Sequence, residues 1–578
     1  MFKEHPKGLP VLFFTEMWER FGYYLMLGIF VLYMIDDKAK GLGYSNFQAA
    51  DVYGTYIALV YLTPFLGGLL ADRVLGYINA IFIGGILMAL GYFGLSIHSE
   101  ATLWPSLLLI IVGNGFFKPN ISTLVGNLYS NDKYRQLKDS GFNIFYMGIN
   151  IGAFVCNFVA AYLRNEYGWG YAFAGAGIGM LIGVVWMFFG LKNIKEADIR
   201  KPVRDTDQKL SSILFWVFVP GAIAFAAGWF IPMMLFGSPL FGSPSTDAFV
   251  FASIPVVTFY FLLFKRADKD EKEPIAALLS IFGVVIIFWA IFHQNGAALT
   301  IWAKDYTSRE LPATVESVAN VFSLTEEVYK DNLKVTIDKK VTYVPVPLID
   351  QSKSTDSSIY YKTMSTAKQY IKIDTAGAIV EKNVMNPYFT KFTAAELATL
   401  SDTKPVKLLS TEIFQSINPF FVVILTPVLV GFFGMLRIRG KEPSTAAKIG
   451  WGLFITALST IVMMFAVIAG GNGEVHASSM WLVGTYFVVT IGELCLSPMG
   501  LSLVSKLSPS RITSLMMGGW FLSTSLGNKL SGVLSGLWEV YDNKVFFFVT
   551  NFILAFIAAA AIFAMVKWLT RVIKEHSS

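Results

Sequence analysis

The chain has 578 residues, 54% hydrophobic and 15% aromatic, with only 15% charged and a formal net charge of +6. Soluble domains carry about 25% charged residues, so this composition excludes a string of soluble domains and points to many membrane-crossing helices. Two cysteines, Cys156 and Cys495, both in apolar runs, exclude a disulfide framework and a thiolate metal site, and the small positive balance lies in loops, not in a nucleic-acid surface.

Fourteen spans are predicted, near residues 11–35, 49–71, 78–98, 103–128, 139–163, 169–191, 211–236, 246–264, 275–303, 412–436, 446–470, 478–505, 512–536 and 544–572. Each is long enough to cross about 30 Å of hydrocarbon at about 1.5 Å per residue. The segment Met1 to Lys7 runs straight into the first span, so no cleaved signal peptide is expected. Lys133, Arg135 and Lys138, then Lys192, Lys195, Arg200, Lys201 and Arg204, then Lys265, Arg266, Lys269 and Lys272, then Arg437, Arg439, Lys441 and Arg511 fall in alternate loops. By the positive-inside rule those loops and both termini are cytoplasmic.

The first span carries Glu16, Glu19 and Arg20 on one helix face. One ionisable residue at mid-bilayer costs about 2.5–3.5 kcal/mol, so three predict a polar site with partners. Lys118 lies in the fourth span, His293 in the ninth and Glu493 in the twelfth. The first half thus offers cations at Arg20 and Lys118, and the second half a carboxylate at Glu493. If the halves face each other, the cavity is dipolar and suits a zwitterion. Lys118-Pro119 and Ser497-Pro498 place a proline at similar points of the two halves, where a helix can bend. Two readings of less consequence stand beside these: a structural ion-pair network for the triad, and a hydrogen-bonded core residue for His293.

Two segments interrupt the even spacing. Residues 192–274 form a basic linker and a two-span hairpin with no ionisable residue in its apolar cores. Residues 304–411 are polar and hold fourteen Lys and Arg against thirteen Asp and Glu. Alternation at 333–338 and 341–346 predicts short strands, and Thr393-Ala-Ala-Glu396 a helix cap. Without these segments, six spans precede residue 192 and six follow 274. The expected organisation is a first six-helix bundle (1–191), linker and hairpin (192–274), the first helix of a second bundle (275–303), an extracytoplasmic insert with some β structure (304–411) and the remaining five helices (412–578). The fold class is all-α and membrane-embedded, of major-facilitator type, with two bundles that rock about a midplane site. The Gly67 to Gly76 run resembles that superfamily's loop signature.

Five runs carry a closer resemblance: Glu16-Met-Trp-Glu-Arg-Phe-Gly-Tyr-Tyr24, Gly67 to Gly76, Lys118-Pro-Asn-Ile-Ser-Thr-Leu-Val-Gly-Asn-Leu-Tyr129, Gly141 to Asn150, and Gly492-Glu-Leu-Cys-Leu-Ser-Pro498. With them the chain resembles bacterial members of the proton-dependent oligopeptide transporter family, which also carry two extra helices between the halves. The resemblance implies symport of di- and tripeptides with protons across the inner membrane by a monomer. It implies proton coupling through Glu16, Glu19 and Arg20, with Lys118 paired to them and helping to receive the peptide carboxylate. It further implies that Glu493 receives the amino group and that Tyr24, Tyr61, Asn150, Asn418, Ser497 and Trp520 line the pocket, with Trp289 beside it. The family's acid four residues after that tryptophan is replaced here by His293, whose charge changes the opposite way on protonation. Glu16 and Glu19 are therefore expected to carry the main coupling, with His293 setting a second protonation step or selecting substrate. The partners expected are the peptide and the lipid bilayer. The coupling ion is the proton, and no cofactor, metal, nucleic acid or enzymatic activity is expected. Two alternatives stay open: a related proton-coupled carrier of another small solute, and a receptor-like protein acting through the insert.

Overall fold

A computed structural model describes residues 3–129, 132–135, 137–199, 215, 219–337, 340–355, 357–362, 370–375, 377–508 and 513–576. The predicted linker residues Arg200, Lys201 and Arg204, the start of the span at 211–236, and Arg511 lie outside the described residues. Among those described, fourteen helices have 18 residues or more: α1 Gly8–Ile35, α2 Asn46–Leu70, α3 Tyr77–Leu95, α4 Glu100–Leu128, α5 Lys138–Tyr167, α6 Trp169–Gly190, α7 Val219–Phe236, α8 Pro244–Arg266, α9 Lys269–Phe292, α10 Ile417–Ile438, α11 Thr445–Ala469, α12 Met480–Leu507, α13 Thr513–Gly536 and α14 Lys544–His576. Eleven spans satisfy length and hydropathy for membrane crossing. Of the remaining long helices, α1 carries Glu16, Glu19 and Arg20 and α13 carries Lys529, all four buried.

Helices α1–α6 form one bundle and α9–α14 the other, and the most extensive contact between bundles joins α2 to α13. Their backbones nearly touch: a Cβ on Gly54 would meet the Gly532 Cα at 2.7 Å. Apolar side chains such as Ile178, Val185, Phe188 and Phe189 point outward, as required where the surrounding solvent is lipid. The hairpin α7–α8 packs on itself and meets the bundles through α8, against α2, α9 and α13. The chain turns from α5 into α6 across a single residue, Gly168, at φ 96°, a conformation that glycine adopts without a Cβ clash.

The span expected at 275–303 is not one helix. It stops at Phe292, passes through a 3₁₀ turn at His293–Gly296, and resumes as a short helix at Ala298–Asp305. Gln294 and Asn551 satisfy each other at the break, donating amide to carbonyl both ways at 2.9 and 3.0 Å. Irregular backbone at membrane depth is tolerated where protein surrounds it in this way.

The insert folds around short antiparallel strands: β1 Thr325–Val328, β2 Asp331–Ile337, β3 Lys340–Pro345, β4 Ser358–Lys362, β5 Tyr370–Asp374, β6 Ile379–Met385 and β7 Val406–Leu409. They pair as β1–β7, β3–β2–β6 and β4–β5. Val335, Val344, Ile359, Tyr361 and Ile373 make its core, with Ala39 of the α1–α2 loop packed against it. Thr393 caps the short helix Ala394–Thr399 in a capping box with Glu396, as its sequence predicts. Burial would raise the Glu326 carboxyl, but Arg309 and Arg164 hold it at about 2. Its charge, and the ion pairs it makes, are therefore constant through the neutral range and are lost only as pH falls below the ordinary carboxylate range.

The bundles are joined at the face carrying the insert. Asn157 donates to Ser416 (3.1 Å), Ser416 to the Phe154 carbonyl (2.9 Å) and Gln415 to the Gly28 carbonyl (3.3 Å). Ser525 and Asn528 of α13 donate to the Ala58 and Ile57 carbonyls of α2.

Candidate functional site

The triad is built by helical geometry alone. Arg20 donates to Glu19 through Nε and, at 2.5 Å, through a terminal nitrogen, so both carboxylate oxygens are engaged. Glu16 lies one turn back, 3.3 Å from Arg20 Nε. All three are buried, at 3%, 0% and 3% exposure for Glu16, Glu19 and Arg20. Asn114 of α4 donates to Glu19 at 3.4 Å, and the Arg20 guanidinium lies 4.9 Å from the Tyr23 ring and 6.0 Å from Tyr24. Glu16 Oε2 is buried and has no hydrogen-bond partner among the described residues. The two carboxylates therefore differ: Glu19 is saturated and Glu16 has an oxygen free to hold a proton.

Lys118 is not ion-paired with this group, contrary to expectation. Arg20 already occupies Glu19, and the Lys118 ammonium sits 4.0 Å from the Tyr61 ring centroid instead. Such a cation–π contact is worth about 0.5–2 kcal/mol, which a carboxylate could outbid. Tyr61 also meets His293 edge to face at 6.0 Å, bringing Lys118 and His293 to opposite neighbours of one ring across the interface between bundles. His293 is 8% exposed, stacks on Trp289 at 5.1 Å and bonds the Trp289 carbonyl through Nδ1 at 3.3 Å. The Trp289 indole nitrogen is buried without a partner among the described residues.

The opposite pole belongs to the second bundle. Asn418 of α10 donates to Glu493 of α12 at 3.0 Å and to Thr490 at 2.8 Å. Glu493 and Lys118 are half-buried, unlike the triad and His293. Of the other expected pocket residues, Asn150 is buried and donates to the Tyr146 carbonyl at 3.0 Å. Ser497 Oγ is buried without a hydrogen-bond partner among the described residues. Trp520 lies against Phe282, centroids 6.3 Å apart, and over Gly500.

Sequence reasoning missed several buried groups. Lys529 of α13 pairs with Asp51 of α2 at 2.6 Å and donates to Thr55 and Ser245 at 2.8 and 3.1 Å. Asp51 also accepts from Ser243, Ser245 and Thr246 of the hairpin turn, at 2.9, 2.5 and 3.2 Å. The hairpin, expected to be a plain appendage, is thus tied into the joint between bundles. The second half also holds a fully buried carboxylate at the insert face. Glu412 is 0% exposed beside Arg164 (2.9 Å), just before α10. Lys529 was visible as an ionisable residue inside the span 512–536, and Asn114 as the residue one turn before Lys118 on α4.

The profile of the POT family (PTR2) matches residues 78–322 and 402–553. A di-/tripeptide transporter of Lactococcus lactis subsp. cremoris is 29% identical over 556 residues, covering 95% of this chain and 93% of its own. An uncharacterized transporter of Bacillus subtilis (strain 168), YclF, is 29% identical over 549 residues, covering 94% and 90%. The crystal structure of a peptide transporter POT in complex with sulfate superposes with a TM-score of 0.72 at 27% identity, over 99% of this chain and 96% of that one. The family profile accounts for most of the chain, and the fold, two six-helix bundles with two extra helices, is that of its solved members. The chain therefore belongs to the POT family of the major facilitator superfamily, and is a transporter and not an enzyme.

Proposed function

We propose that the protein is a proton-coupled symporter of di- and tripeptides. It would work as a monomer in the inner membrane with both termini cytoplasmic, alternating between two bundle arrangements. The observation that supports this most is the pairing of a cationic side, Arg20 and Lys118, with a carboxylate held ready on the other bundle, Glu493 on Asn418. A zwitterion of peptide length meets both demands, and relatives of similar length bear the name of di-/tripeptide transporter.

Lys118 resting on an aromatic ring makes no ion-pair contact among the described residues and is available to the peptide's carboxylate. Protonation at the free oxygen of Glu16 weakens its hold on Arg20, which then turns further toward substrate. Closure around the peptide and reopening at lower proton activity releases the proton. Glu16 recaptures Arg20 and the peptide leaves. A potential of 100 mV adds about 2.3 kcal/mol per charge moved.

Uptake of labelled dialanine into proteoliposomes with an imposed pH gradient tests the reading. Unlabelled dialanine is expected to compete, and N-acetyl-dialanine, lacking the ammonium, to fail. Equal competition by the acetylated compound would remove Glu493 from its role, and competition by nitrate alone would assign another solute. His293→Gln is expected to retain gradient-driven uptake, since the carboxylates carry the coupling. Loss of accumulation with counterflow intact would show that they do not suffice.

A further inference from the structure

Residues 323–401, most of the insert, fall outside the match to the family profile. The insert is fastened stiffly to the second bundle. Strands β1 and β7 pair the outgoing and returning stems, and Arg309 on the first donates to the Leu409 carbonyl on the second at 2.9 Å. Thr307–Ser308 pairs with Ala477–Ser478 in the α11–α12 connection, and Tyr388 stacks on His476 at 4.2 Å. The stalk therefore moves with α10–α14.

Its far side holds the first bundle at three places. Arg164, near the end of α5, pairs with Glu326 at 2.9 Å while also facing Glu412 of the second bundle. The Asn165 amide is within reach of the Ser323 carbonyl (2.8 Å), the Thr325 carbonyl (3.0 Å) and Ser410 Oγ (2.7 Å), and Ser323 donates to Glu166 at 2.6 Å. Asp37 of the α1–α2 loop accepts from the Tyr343 backbone at 2.9 Å. Arg164 and Asn165 are largely buried, so these contacts form in a low dielectric where losing a partner is costly.

From this arrangement we infer that the insert is a latch: it rides on the second bundle and clasps the first, holding the insert face shut. Opening that face requires the ends of α1 and α5 to part from a stalk that cannot follow them. The latch goes beyond the peptide-symport reading and does not depend on which solute is carried.

The test pairs Glu166→Cys with Ser323→Cys in full-length protein with Cys156 and Cys495 replaced by Ala. Oxidation should cross-link the pair, abolish uptake of labelled dialanine to the level of protein-free liposomes, and slow amide hydrogen exchange across 154–165 and 411–416. Reduction should restore both. Glu326→Ala should speed the same exchange. Cross-linked protein that transports at the reduced protein's rate, or a pair that does not cross-link, would overturn the latch. If neither form carries dialanine, the peptide reading fails, and the exchange comparison still decides: unchanged exchange on cross-linking rejects the latch.

Discussion

Glu19→Gln is expected to destabilise the protein by about 3–5 kcal/mol, whereas Glu16→Gln should keep its stability and lose accumulation. The two carboxylates sit three residues apart on one face, yet their surroundings differ. Glu19 meets Arg20 through both oxygens and accepts from Asn114, so its removal leaves a buried guanidinium without its main counter-charge. Glu16 meets Arg20 through one oxygen at 3.3 Å and leaves the other unbonded. A glutamine there preserves size and keeps an oxygen beside Arg20, losing the charge of the weaker of the two pairs and the titrating proton. Thermal unfolding in detergent should therefore separate the variants strongly, and proteoliposome assays should show Glu16→Gln exchanging substrate without concentrating it. Equal stability of the two variants would mean that the bidentate pair does not hold α1.

Lys529→Met should cost a comparable amount, about 3–5 kcal/mol, through the same mechanism of a stranded partner. Asp51 would keep its three hydroxyl contacts from the hairpin turn but lose the only cation paired with it among the described residues. The double variant Asp51→Asn with Lys529→Met should recover much of the loss, since the unpaired charge is then gone. Unfolding measurements on both single variants and the double complete the cycle. Additive losses would show that the ion pair contributes nothing beyond its separate members.

The triad was legible because charge in an apolar run is conspicuous, and helical spacing alone puts Glu16, Glu19 and Arg20 together. Asn418 beside Glu493 was named for its place in the pocket, but its bond to the carboxylate depends on α10 meeting α12. The Asp51 cluster needed three elements far apart in sequence, at residues 51, 243–246 and 529, and no periodicity links them. Lys118 was assigned the wrong neighbour for a similar reason. Its charge suggested a carboxylate, but Arg20 had already taken it and an aromatic ring from α2 was closer at hand. Strands β2 and β3 of the insert followed from local alternation, but its other five strands did not, and its docking rested on Arg164 and Asn165, in the opposite bundle. The break at His293 had a local cue in the Asn295-Gly296 pair that follows it.

The near contact of Gly54 with Gly532 makes the joint between α2 and α13 behave as a bearing. With no side chain between the backbones, the helices can turn about that point at little cost, but translation drives main chain into main chain. Displacement then grows with distance from the bearing. Asp51, one turn away, moves little, whereas the Leu70 end of α2 and the Thr513 end of α13, the ends away from the insert, sweep the longer arcs.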